Sequence, residues 1–173
     1  MDPKKDLFYA MSHGVNRAVL KEGIEDNRVE FLDKLVKKIS KIKYDFYGFA
    51  NKQPIWGDEF NNALINSKMA LNLSRGNPTK YYSSNRIASV VGNGLLTFID
   101  KKVQMNDFFN DNEIIFYDNI NDLSDKIKFY SINDKLRKRI SANGKKKYFK
   151  LFNEVKITKY FVDISLGNKT SLI

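Results

Sequence analysis

The sequence predicts an open, doubly wound α/β domain, a Rossmann-like parallel sheet with helices on both faces. Strand-length apolar runs alternate along the chain with segments of helical periodicity, which is the pattern of a parallel sheet covered by helices. The later runs are apolar almost throughout, as strands buried on both faces must be. Size agrees. The chain has 173 residues, 42% of them hydrophobic and 13% aromatic, which suits one domain with a sizeable core.

"LFYAMS" (7–12) reads as the first strand, followed by the polar loop "SHGVNRAVLKEG". In "NRVEFLDKLVKKISK", Val29, Leu32, Leu35, Val36 and Ile39 recur at helical spacing, so a helix is expected. "IKYDFYGF" (42–49) alternates and is rich in aromatics, as a second strand should be. Asp58 is the expected N-cap of a short helix through about residue 66. "KMALNLS", "GLLTFID" and "EIIFYD" give strands three to five. From residue 121 onward the chain reads as helical, with breaks expected at Ser131 to Asp134 and at Gly144. Leu123, Ile127 and Tyr130 form one apolar stripe, and Leu136 and Ile140 another. No linker interrupts the chain, so residues 1–173 form a single domain whose residues 153–173 are a C-terminal helix or tail.

Thirty Lys and Arg against twenty Asp and Glu give a net charge of +10 and a pI near 9.6, which favours an anionic partner. There is no cysteine and a single histidine, His13. That composition excludes disulfides, thiolate zinc sites and a cysteine nucleophile, and points to a reducing, cytoplasmic setting. No apolar run reaches the roughly 18 residues of a membrane span, so membrane contact is at most peripheral. Gly-rich Rossmann and Walker A fingerprints are missing, as is a serine elbow.

The densest chemistry lies in "LSRGNPTKYYSSNRIASVVGNG", Leu73 to Gly94. Ser83 or Ser84 can cap a helix running to about Gly92, with Ile87, Val90 and Val91 as its packing face. Tyr82, Arg86, Ser89 and Asn93 fall on a second, polar stripe. Ligands of open α/β sheets bind beyond the carboxyl ends of the strands, where strand three delivers Arg75, Gly76 and Lys80. Gly76 permits close backbone approach. Arg75, Lys80 and Arg86 supply charge, and arginine can fork onto phosphate oxygens. These residues suit a diphosphate site, against the plain alternative of a solvated cationic loop. The loop after strand one brings His13, Arg17 and Lys21 to the same edge, and His13 is the one in-chain acid or base candidate.

The order of "SKMALNLSRGNPTKYYSSNRIASVVGNGLLTFID", "NEIIFYDNINDLSDKI" and "DKLRKRISANGKKKYF" resembles the C-terminal, donor-binding half of GT-B glycosyltransferases. The resemblance runs from about Leu7 to Phe152 and is closest to the group-1-like branch that includes CgeB-like proteins. It implies binding of a nucleotide-diphosphate sugar, usually without a metal or other cofactor, for transfer to an acceptor held by a second half-domain. In the family pattern an Arg, a Glu three residues later and a small-x-Gly turn flank the nucleotide. Arg86 and the Gly92–Gly94 turn match, whereas Ser89 stands in place of the ribose-binding Glu. Arg75 to Tyr82 correspond to the segment that meets sugar and diphosphate, and Arg17 and Lys21 to cations over the phosphates.

The resulting expectation is a donor-binding domain in which Arg17, Lys21, Arg75, Gly76, Lys80, Tyr82, Ser83, Asn85, Arg86 and Ser89 hold the donor. Arg86 and, more weakly, His13 would contribute to catalysis. A non-catalytic nucleotide- or sugar-binding module is the alternative, favoured by the missing glutamates. The acceptor half would be another domain or a partner chain, and "EVKITKYFVDISLG" is expected to expose an apolar face or to make a homo-oligomer contact. Nucleic-acid binding through "KLRKRISANGKKKYFK", with Tyr148 and Phe149 stacking bases, is disfavoured against a solvated helix face.

Overall fold

The computed structural model describes residues 3–12, 26–82 and 85–170. Five strands, β1 (Lys5–Ala10), β2 (Tyr44–Tyr47), β3 (Ser67–Asn72), β4 (Leu96–Asp100) and β5 (Ile115–Tyr117), form one parallel sheet in the order β2-β1-β3-β4-β5. Leu7 pairs with Tyr44 on one side and Met69 on the other, so β1 is an interior strand. The expected doubly wound sheet is therefore the observed one.

Helices α1 (Arg28–Lys38) and α4 (Ile120–Ile132) cover one face, where Leu7, Tyr9, Leu71 and Phe98 meet Leu32, Leu35, Leu123 and Ile127. Helices α2 (Gly57–Ile65) and α3 (Arg86–Gly92) cover the other, packing Ala63, Leu64, Ile87, Val90 and Val91 on Phe8, Ala70 and Ile99. Connections that move leftward along the sheet use the first face and those that move rightward use the second. This is the consequence of right-handed crossovers.

Several boundaries differ from the expected ones for local reasons. Val29 is 45% exposed because it lies in the first turn of α1, ahead of the residues that reach the sheet. Helix α2 starts at Gly57 with Trp56 at its N-cap and no side-chain cap bond, so Asp58 stands in the first turn, where a carboxylate suits the helix dipole. The break expected near Ser131 to Asp134 falls at Asn133, between α4 and α5 (Asp134–Leu151).

The break expected at Gly144 does not occur. Helix α5 runs through it, because the helix backbone there lies directly against the loop before β5: a Cβ on Gly144 would stand 2.1 Å from the Glu113 carbonyl oxygen. The glycine is needed for approach, not for a turn. The last helix, α6 (Glu154–Ser165), buries none of its residues among the described ones and leaves Val155, Phe161, Val162 and Ile164 exposed. No helix of the described residues is long and apolar enough to cross a membrane.

Two substitutions test this packing. Gly144→Ala gains helix propensity of roughly 1 kcal/mol, but overpacking against backbone costs about 1–3 kcal/mol; urea unfolding should show a net loss. The buried hydroxyl of Tyr117 has no hydrogen-bond partner among the described residues, so Tyr117→Phe should unfold at equal or higher urea, by up to about 1 kcal/mol.

Candidate functional site

Strands β1 and β3 are neighbours, yet the chain leaves β1 toward β2 and enters β4 from β3, so their carboxyl ends diverge at a switch point where open α/β sheets hold ligands. Tyr9 at the end of β1 is fully buried. Its ring supports the Arg86 guanidinium, 4.8 Å from the ring centroid, and its hydroxyl lies 3.5 Å from the Leu73 carbonyl oxygen. Arg86 Nη1 donates to that same carbonyl at 3.1 Å. The first residue of α3 is thus fastened to the end of β3 and to the face of β1.

Beside this pair lies an ion cluster. Asp26 accepts from Arg28 Nε at 2.8 Å and from Arg28 Nη2 at 2.6 Å, and the side chains are only 5% and 7% exposed. Arg75 Nε reaches the same carboxylate at 3.4 Å. Burial works against the charged form of Asp26, but the hydrogen bonds and charge of Arg28, aided by Arg75, leave its pKa below the ordinary 3.8. Burial likewise opposes the Arg28 cation, and the Asp26 carboxylate overcomes it, so that pKa is raised.

Arg86 differs from its neighbours. Burial pulls its pKa down, Tyr9 opposes that shift and the positive charge of Arg28 adds to it. Among the described residues no carboxylate pairs with it. Its other flank lines a cleft of about 310 Å³ with Ala10, Met11, Ser12, Trp56 and Phe60. Apart from Ser12 and Arg86, the lining is apolar or glycine, and Trp56 is 70% exposed. The arrangement offers one partly desolvated cation at the mouth of an apolar cleft, which suits a ligand with an anionic group and a ring or aliphatic body.

The other expected site residues divide into four groups. Arg75 joins the cluster, and Gly76 beside it has φ +67°, a conformation that favours glycine. The Lys80 ammonium instead lies over the Tyr81 ring at 4.7 Å. Tyr81 in turn donates to Asp107 at 2.7 Å, which turns this part of the loop toward the segment after β4. Tyr82 is half-exposed, Asn85 occupies the N-cap of α3 without a cap bond, and the Ser89 carbonyl accepts from the Asn93 side chain at 2.7 Å. His13, Arg17, Lys21 and Ser83 lie outside the described residues.

Sequence reading missed Tyr9, Asp26, Arg28 and Trp56. The available signals were a tyrosine ending an apolar strand, an Asp-x-Arg pair opening a helix, and the chain's one tryptophan beside Pro54.

The profile of the glycosyl transferase-like family matches residues 27–162, most of the chain and all of the elements from α1 to α5. The chain belongs to the glycosyl transferase-like family. Its fold is similar to that of TarM, with a TM-score of 0.66 and 14% identity over 95% of this chain and 36% of TarM. It is equally similar to a mutant of S. aureus TarM solved in complex with fondaparinux, α-GlcNAc-glycerol and UDP, at TM-score 0.65, 15% identity, and the same 95% and 36% coverage. An α1,3-fucosyltransferase matches with a TM-score of 0.58 and 12% identity over 98% of this chain and 47% of the enzyme. The glycosyl transferase-like chain therefore spans between about a third and a half of these structures, and its fold is one half of a GT-B fold. No curated protein matches it in sequence.

The ion cluster has a pH signature. The lowered folded-state pKa of Asp26 means that its contribution is complete above the unfolded value and is lost as pH falls through the lower, folded one. Asp26→Asn should cost about 3–5 kcal/mol at pH 7, because Arg28 is left buried without its partner. Urea unfolding between pH 7 and 3 should also show a shallower acid loss in the variant than in the wild type.

Proposed function

We propose that this chain is the donor-binding half of a glycosyltransferase, holding a nucleotide-diphosphate sugar at the β1/β3 switch point for transfer to an acceptor. The observation that carries this is Arg86. It is a cation partly withdrawn from water, fixed by the Leu73 carbonyl and the Tyr9 ring, with no carboxylate partner among the described residues and one side open to a cleft. A diphosphate would supply the missing countercharge. Family membership and the UDP in the TarM complex support a nucleotide over other anions.

In the proposed reaction negative charge builds on the departing nucleoside diphosphate. Arg86, with Arg75 beside it, would stabilise that charge without needing to reorganise. Arg17 and Lys21, by family resemblance, would stand over the phosphates, and His13 is the weaker candidate for proton transfer. Gly76, Lys80, Tyr82, Ser83 and Asn85 would complete the donor contacts, and Ser89 would take the ribose contact of the family glutamate as a neutral hydrogen bond. We assign no metal to the site; charge neutralisation falls to side chains. By family resemblance, the chain would stand nearest the group-1-like, CgeB-like branch.

A non-catalytic donor-binding module is the second reading, and Ser89 favours it, since a hydroxyl holds ribose less firmly than a carboxylate. Calorimetric titration with UDP and a panel of nucleoside-diphosphate sugars, followed by a donor-hydrolysis assay, separates the two. Binding with turnover supports the transferase, binding without it supports the module, and no binding to any donor sinks both. Arg86→Lys keeps a charge but loses the fork and should weaken UDP binding at least about tenfold, or roughly 1.4 kcal/mol. Circular dichroism of the variant should remain that of the wild type.

A further inference from the structure

A second cleft, of about 320 Å³, lies at the opposite, amino-terminal edge of the sheet. Lys146, Lys147 and Lys150 of α5 line it, facing Asn110, Asn112 and Glu113 of the loop that leads into β5. Asn143, Lys146 or Lys147, and Lys150 follow one another at spacings of three and four, so a single face of α5 presents them. We propose that this cleft is a binding site for phosphate groups, separate from the donor crevice.

Three observations support it. First, the lysines are uncompensated: Lys34, Lys126 and Lys138 each pair with an acid on their own helix, whereas among the described residues none of Lys146, Lys147 and Lys150 does. Glu113, the one acid in the cleft, accepts from the Asn110 backbone N–H at 3.0 Å, where it closes the loop. Second, the walls are fixed. Gly144 lets the α5 backbone rest on the Glu113 carbonyl, and Asn143 Nδ2 donates to the Asn112 carbonyl at 3.2 Å. The backbone walls then need no ordering by a ligand, and only the lysine side chains lose rotamer freedom on binding.

Third, the donor set fits one chemistry. Among the described residues no arginine lines the cleft to match a planar carboxylate, and several lysines stand together as point charges, an arrangement suited to a tetrahedral group with three or four oxygens. Nor does an aromatic ring line the cleft. Tyr148 is turned away onto Phe152, with ring centroids 5.3 Å apart, and belongs to the core beneath α2 and α3. The cleft therefore reads anionic groups and not bases.

The test is calorimetric titration of the whole chain with inorganic tripolyphosphate and, separately, with a single-stranded oligothymidylate. The wild type is compared with Lys146→Gln/Lys147→Gln/Lys150→Gln and with a charge-matched control, Lys37→Gln/Lys38→Gln/Lys41→Gln, on and just after α1. The cleft variant should lose at least about tenfold in affinity for a phosphate ligand, since three charge-assisted contacts are removed, while the control stays within about twofold of the wild type. Tripolyphosphate binding alone identifies a free oligophosphate, and oligothymidylate binding alone a phosphodiester chain. The loss in the cleft variant should be the same in an Arg86→Lys background, because the two sites are separate. Equal loss in both triple variants would reduce the effect to net charge and overturn the site. So would absence of binding to either probe. Failure of UDP to bind at the switch point would leave this result unaffected.

Discussion

The parallel pairing of β1 with β3 is the constraint on which the molecule depends. Leu7 stands beside Met69 and Phe8 beside Ala70, although helix α1, strand β2 and helix α2 separate them in sequence. That pairing forces α1 and α2 onto opposite faces of the sheet, since each right-handed crossover moves the chain in a different direction. It also parts the chain at the carboxyl ends of β1 and β3, where Met11, Ser12 and Arg86 line the crevice. Site and core are thus two results of one topological decision.

Arg86 shows how closely the two are joined. Residues of α3 on one side of it, Ile87, Val90 and Val91, are buried in the core, so the helix cannot rotate to bring Arg86 into water. Held there, the guanidinium rests on Tyr9 and the Leu73 carbonyl, which are themselves fixed by β1 and β3. A surface arginine would lose rotamer entropy on gripping an anion. Arg86 has already lost it during folding, and the same burial that disfavours its charge makes an incoming anion more favourable.

Much of the fold was legible because it follows from periodicity. Leu32, Leu35 and Ile39 recur at helical spacing and are all fully buried, and the apolar runs became the five strands in the expected order. What escaped reading was contact between distant segments. Gly144 looks like a helix breaker in one dimension; only the approach of Glu113 explains it. The placement of Lys80 over the Tyr81 ring, with Tyr81 fastened to Asp107, is announced by no spacing in the sequence. Tyr9 carried no local motif, because its role is to hold Arg86, and partners so far apart in sequence leave no spacing to recognise; Asp26 and Arg28 stand two residues apart, but only their burial sets that pair off from an ordinary surface ion pair. The placement of Arg86 at the crevice follows from a strand end that periodicity does locate.

Binding and transfer make different demands on this crevice. For binding, a fixed cation and an apolar wall suffice, and both are present. Transfer also requires that water be kept from the reacting carbon, or the donor is hydrolysed. Trp56 is 70% exposed at the rim, so the described residues form a floor and one wall but no roof. In the proposed reaction, an apolar rim of that kind would lose its exposure when a second surface closes over it, and the acceptor-bearing surface would then take part in catalysis as well as in acceptor choice. The charge of Arg86 would come from this chain, and the timing of the reaction from whatever closes upon it.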